Sequence, residues 1–121
     1  MPYHLLAADA VRSALSLRDL SDPAQGPHAL QQICERAITP LRTAWGCPLI
    51  VHRHHPVVSI ADNYDHLGYP ADGAARNVRY TRYVSATTLL RTQTSAMIPR
   101  ALRELAAADA APADVLLPVR A

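Results

Sequence analysis

The apolar positions change period several times along the chain, and those changes predict its elements. From about Leu5 to Leu17, Leu5, Leu6, Val11, Ala14 and Leu15 recur at helical spacing. Residues 16–20 (Ser-Leu-Arg-Asp-Leu) alternate and read as a short strand. Residues 21–27, with Asp22, Pro23, Gly26 and Pro27, are dense in turn formers and predict a loop. The best helix follows, opened by Pro27 or His28. Leu30, Ile33, Cys34, Ala37, Ile38 and Leu41 fall on one face, and Gln31, Gln32, Glu35, Arg36 and Arg42 on the other. Pro40 lacks an N–H and clashes with the preceding turn, so a kink or a junction of two helices is expected there. Gly46 is the expected terminator.

Residues 48–60 read as extended, with Leu49-Ile50-Val51 and then Val57, Val58 and Ile60 after Pro56. A stretch rich in turn formers covers 62–73. Tyr80–Val84 and Thr87–Leu90 are strand candidates. Thr94 is placed to cap a helix running to about Ala108, with Pro99 tolerable in its early turns. Val115-Leu116-Leu117 is a last strand candidate. Helices and strands do not alternate regularly, so the expected class is α+β, an antiparallel sheet with flanking helices, within a single domain over 1–121.

Composition narrows the function. Half of the 121 residues are hydrophobic, enough for a core, and the net charge is only +2. That excludes a densely basic nucleic-acid-binding tail. All 12 basic residues are Arg and there is no Lys, which removes Schiff-base chemistry and the P-loop. No apolar run reaches the length of a membrane span. Met1–Ala14 contains His4, Asp9 and Arg12 and does not read as a secretory core. A cytoplasmic location with Cys34 and Cys47 packed as thiols is the expectation.

Four clusters bear on chemistry. His52 and His54 share one face of an extended segment and could supply two metal ligands, but a complete site needs three or four. No Cys pair or HExxH helix provides the rest, so no metal is expected. Residues 91–95 (Arg-Thr-Gln-Thr-Ser) pass from a strand into a helix. This places Gln93, Thr94 and Ser95 where they either bind a small anion or simply cap the helix. Asp62-Asn63-Tyr64-Asp65 reads as a turn with Asx chemistry. Arg76, Arg79, Arg82 and Arg91 form a loose basic series, read as surface charge or as phosphate contacts.

Several segments, in order, resemble the catalytic core of class II aminoacyl-tRNA synthetases, most of all the α subunit of phenylalanyl-tRNA synthetase. That family typically reads Asn-Phe-Asp-x-Leu, His-Pro-Ala-Arg, Thr-Phe-Tyr-Leu and Leu-Arg-Thr-His-Thr-Ser. The corresponding stretches here are Asn63–Leu67, Gly73–Arg76, Thr81–Val84 and Leu90–Ser95. Gly26-Pro27-His28-Ala29 with the long helix, and Pro56, resemble the first class-defining motif, at about 28–58.

The resemblance implies a synthetase-like fold and ATP- and Mg²⁺-dependent activation of an amino acid, followed by transfer to tRNA. It also implies a homodimer built through the first motif. Tyr83, Gln93 and Ser95 fall at positions that line the family's amino-acid pocket. The departures are specific. The family's His is Gln93, a Gln three residues after the Ser is Ile98, and the His-Pro pair is Gly73-Ala74. The arginines of the second and third motifs, which grip ATP phosphates, have no counterpart in these 121 residues. The expectation is therefore a synthetase-like portion inactive by itself, marginally stable and prone to self-association. The alternative is a dimerising or amino-acid-sensing module derived from a synthetase.

Overall fold

A computed structural model describes residues 4–108. Helix α1 is Ala8–Leu15, α2 is Ala29–Trp45, α3 is Ile60–Asn63 and α4 is Ile98–Ala107. Strands β1 (Val57–Ser59), β2 (Arg82–Tyr83) and β3 (Thr88–Leu90) form an antiparallel sheet in the order β1-β3-β2. Val58 and Tyr83 both oppose Leu89, which places this central leucine between them. The fold is α+β, as the pattern of periods predicts. The Val115–Leu117 strand candidate lies outside the described residues.

Two compact units are distinguished. Among the described residues, the first comprises 4–17 and 54–100, and the second comprises 18–53 and 101–108. In the second unit, α2 is one continuous helix through Pro40 rather than two. His28 caps its start, Nδ1 accepting from the Leu30 N–H at 3.1 Å. Gly46 ends it at φ +60°, a conformation open to glycine, with its N–H on the Arg42 carbonyl at 2.9 Å. The loop before α2 is held by its own polar groups. Asp19 accepts from the Ser21 N–H and hydroxyl, and Arg53 donates to the Ser21 carbonyl at 2.9 Å. Residues 16–20 form a turn rather than the expected strand, because the Ser16 N–H and hydroxyl bond back to Arg12 and Ser13 carbonyls. The apolar face of α2 is exposed at several positions, including Ile33 at 64% and Trp45 at 61%.

The first unit contains the sheet. The turn between β2 and β3 is closed by Ser85, whose Oγ accepts from the Thr87 and Thr88 N–H groups. Regular β structure begins only at Val57, after Pro56, whose carbonyl receives the Arg91 N–H at 2.9 Å. The first helix is shorter than expected. Leu5 instead pairs in parallel with Tyr83, and the Leu6 N–H bonds to the Tyr83 carbonyl at 2.8 Å.

Tyr64, Tyr83 and Leu89 form the core, with Val58, Ile60 and Ala75 against it. The chain has no Phe, so its large core aromatics carry hydroxyls that need acceptors. Tyr64 donates to the Ala75 carbonyl at 2.8 Å, and Tyr83 donates to the next carbonyl, Arg76, at 2.7 Å. Thr81, also buried, donates to Ala75 at 2.7 Å and lies against the Tyr64 hydroxyl.

This arrangement separates two similar substitutions. Tyr83→Phe leaves the Arg76 carbonyl without its hydroxyl donor and is expected to cost about 1–3 kcal/mol. Tyr64→Phe leaves Ala75 with Thr81 and is expected to cost less, about 1 kcal/mol. Urea unfolding of both variants checks this; equal midpoints would contradict it.

Candidate functional site

The strand β3 runs out at Leu90, and the chain turns through 91–93 into a 3-10 turn, Thr94–Met97, that leads into α4. Gln93, not Thr94, is the residue before that turn, and no side chain caps it. Thr94 therefore does not start the helix as expected. The reason is local: the first turn closes tightly, with the Ala96 N–H on the Gln93 carbonyl at 3.3 Å, and α helix begins at Ile98. Pro99 stands near its start, where a missing N–H is tolerated.

The segment is fixed by Asn63, which is fully buried at the end of α3. Its side-chain Oδ1 accepts from the Thr92 N–H at 3.1 Å, and its Nδ2 donates to Thr92 Oγ1 at 3.0 Å. Gln93 returns the contact, Nε2 donating to the Asn63 carbonyl at 2.9 Å, while its Oε1 accepts from the Thr92 hydroxyl. Both ends of the Gln93 amide are thus engaged within the protein. Ser95 is half-buried, and among the described residues its hydroxyl has no hydrogen-bond partner. Arg91 donates to the Met97 sulfur at the same turn.

Tyr83 is placed differently. Its ring is buried in the core and lines an open cavity of about 810 Å³ whose walls include Ser59, Asp65, Asp72, Gly73, Ala74 and Arg76. Gln93 and Ser95 do not line that cavity. The three candidate residues therefore lie in one compact unit but do not converge on one cavity wall.

Arg76 has a larger part than its place in a loose basic series suggests. Its side chain is only 14% exposed. It donates to the Pro70 carbonyl at 2.7 Å, the Tyr69 carbonyl at 2.8 Å and the Asp65 carboxylate at 2.6 Å. Its guanidinium also lies over the Tyr64 ring, 4.9 Å from the centroid. Asp62 and Asn63 belong to the end of α3, Tyr64 turns out of it and Asp65 opens a 3-10 turn; Asn63 and Tyr64 are buried, while Asp62 meets His66 at 2.8 Å. His55 is spent on the backbone, its Nδ1 accepting from the Val57 N–H at 3.2 Å. Cys34 and Cys47 are free thiols, and no helix among the described residues is long and apolar enough to cross a membrane.

No family model matches the chain. Over 47 residues, 39% of its length, the chain is 45% identical to the mitochondrial phenylalanine–tRNA ligase of Saccharomyces cerevisiae. The matched stretch covers 10% of that enzyme, so the chain spans only a small part of the relative it matches.

The amide clasp makes a direct prediction. Asn63→Ala removes both of its side-chain bonds to Thr92 and is expected to destabilise the protein by about 1–3 kcal/mol. The Thr92 amide should lose its protection in hydrogen exchange; an unchanged Thr92 exchange rate would show that the segment is held by something else.

Proposed function

We propose that this chain is a portion of a phenylalanine–tRNA-ligase-type protein, and that its part in that chemistry is to hold an amino acid at the 91–95 turn. The observation that carries the reading is the 45% identity to the yeast ligase. The free Ser95 hydroxyl is suited to accept a hydrogen bond from a substrate ammonium, and Gln93 Oε1 is a second acceptor once it leaves Thr92. The Tyr83 hydroxyl is committed to the Arg76 carbonyl, and its ring lines a different cavity, so Tyr83 is given no contact with the amino acid in this reading.

ATP, Mg²⁺ and tRNA belong to the complete reaction, which in this reading takes place in the cytoplasm as part of a homodimer. The 91–95 turn does not fit a nucleoside triphosphate, because its one guanidinium, Arg91, is turned onto the Met97 sulfur. Adenylate formation needs cations aimed at the phosphates in the transition state. Amino-acid binding is therefore the part assigned to this segment, with no step of phosphoryl chemistry. A second reading, an amino-acid-sensing or dimerising module without catalysis, is favoured by two features: the self-satisfied Gln93 amide and the exposed apolar face of α2.

Titration of the 121-residue chain with L-phenylalanine, followed by ligand-detected NMR, tests the proposal. Binding is expected, weakened about tenfold by Ser95→Ala, the equivalent of one hydrogen bond of about 1.4 kcal/mol. ATP–pyrophosphate exchange by the same chain is expected to be absent. Exchange activity would show that these residues suffice for activation. Failure to bind any amino acid would remove the assignment of Gln93 and Ser95.

A further inference from the structure

A second, smaller cavity of about 330 Å³ opens elsewhere in the first unit, lined by His4, Leu6, Val78, Arg79, Tyr80, Thr81 and Arg82. Its construction follows from the core. Thr81 and Tyr83 are buried, whereas Tyr80, in the turn before β2, and Arg82, on β2, are exposed and both line the cavity. The preceding turn is tightened by Asn77, whose carbonyl accepts from the Tyr80 and Thr81 N–H groups and whose side chain accepts from the Arg79 N–H. That turn presents Arg79 beside Tyr80. The bond from Leu6 to the Tyr83 carbonyl lays the N-terminal segment along β2 and brings His4 to the cavity wall.

The charge of this cavity is one-sided. No carboxylate lines it among the described residues, and neither Arg79 nor Arg82 forms an ion pair with any of them. Arg76, three residues before Arg79, differs: its guanidinium is used up inside the protein. Two unpaired guanidinium groups around a concavity form a fork for phosphate oxygens, with His4 as a further donor. Tyr80, 66% exposed at the rim, offers a flat face for a base. The volume suits one nucleotide unit and little more.

We propose that this cavity binds the phosphate of a nucleotide, with Arg79 and Arg82 gripping the oxygens and Tyr80 stacking on the base. The site shares no residue with the 91–95 turn, so it stands or falls separately from amino-acid binding there. The full chain is titrated against fluorescein-labelled single-stranded oligouridylate by anisotropy, with AMP as competitor.

Arg79→Gln with Arg82→Gln is expected to weaken oligouridylate binding about tenfold or more. It should also lower the slope of log affinity against log salt by about 1.4, roughly 0.7 for each phosphate no longer neutralised. Arg36→Gln with Arg42→Gln, which removes the same charge from α2, should leave affinity within about twofold. Tyr80→Ala should weaken binding several-fold and decides the matter if the arginine variant does not fold. Competition by AMP identifies a free nucleotide as sufficient, whereas oligouridylate binding without AMP competition assigns the site to a polynucleotide backbone. The proposal is overturned if neither probe binds, or if the α2 pair weakens binding as much as the Arg79 and Arg82 pair.

Discussion

Two adjacent carbonyls, those of Ala75 and Arg76, organise the first unit. They receive three buried hydroxyls, from Tyr64, Thr81 and Tyr83, which come from the end of α3, the approach to β2 and β2 itself. Buried oxygens left unpaired cost more than paired ones return, so the loop carrying these carbonyls has little freedom to move. The Arg76 side chain gathers Pro70, Tyr69 and Asp65 and lies over the Tyr64 ring. One residue thus ties the 65–76 loop to the core through its carbonyl and ties the loop to itself through its guanidinium. A lysine could not replace it, because a point charge cannot meet several acceptors with a fixed planar fork.

Much of this architecture is legible in the residues and some is not. The long helix, its His28 start and its Gly46 stop follow from periodicity and from glycine's access to positive φ. The β2–β3 pair follows from the β-branched and aromatic runs around Ser85 and Ala86. The helix after Gln93 is legible but its cap is not, because a threonine before an apolar run looks the same whether the first turn is α or 3-10. Residues 16–20 mislead for a similar reason: five alternating residues cannot outweigh local serine bonds to the preceding helix.

The candidate site is less legible than the fold. Asn63 reads as part of a turn motif, yet its amide is the clasp that holds Thr92. No periodicity signals such a contact, since it joins residues 29 positions apart. Arg76 stands in a series of four arginines that look alike as letters. The structure separates them by environment: one is committed inside the protein, one is turned onto a sulfur, and two face a concavity without acidic partners. Burial and partners sort these arginines where composition cannot.

The Gln93 amide has an energetic consequence. Its hydrogen bond to the Asn63 carbonyl is an internal occupant that any ligand seeking the same amide must displace. If holding that bond is worth about 1 kcal/mol, the open form is roughly a fifth as abundant as the closed one, and apparent affinity falls by a comparable factor. By linkage, a ligand that captures Gln93 also loosens the last residue of α3. Occupancy would then be transmitted through one carbonyl to a helical turn 30 positions earlier in the chain.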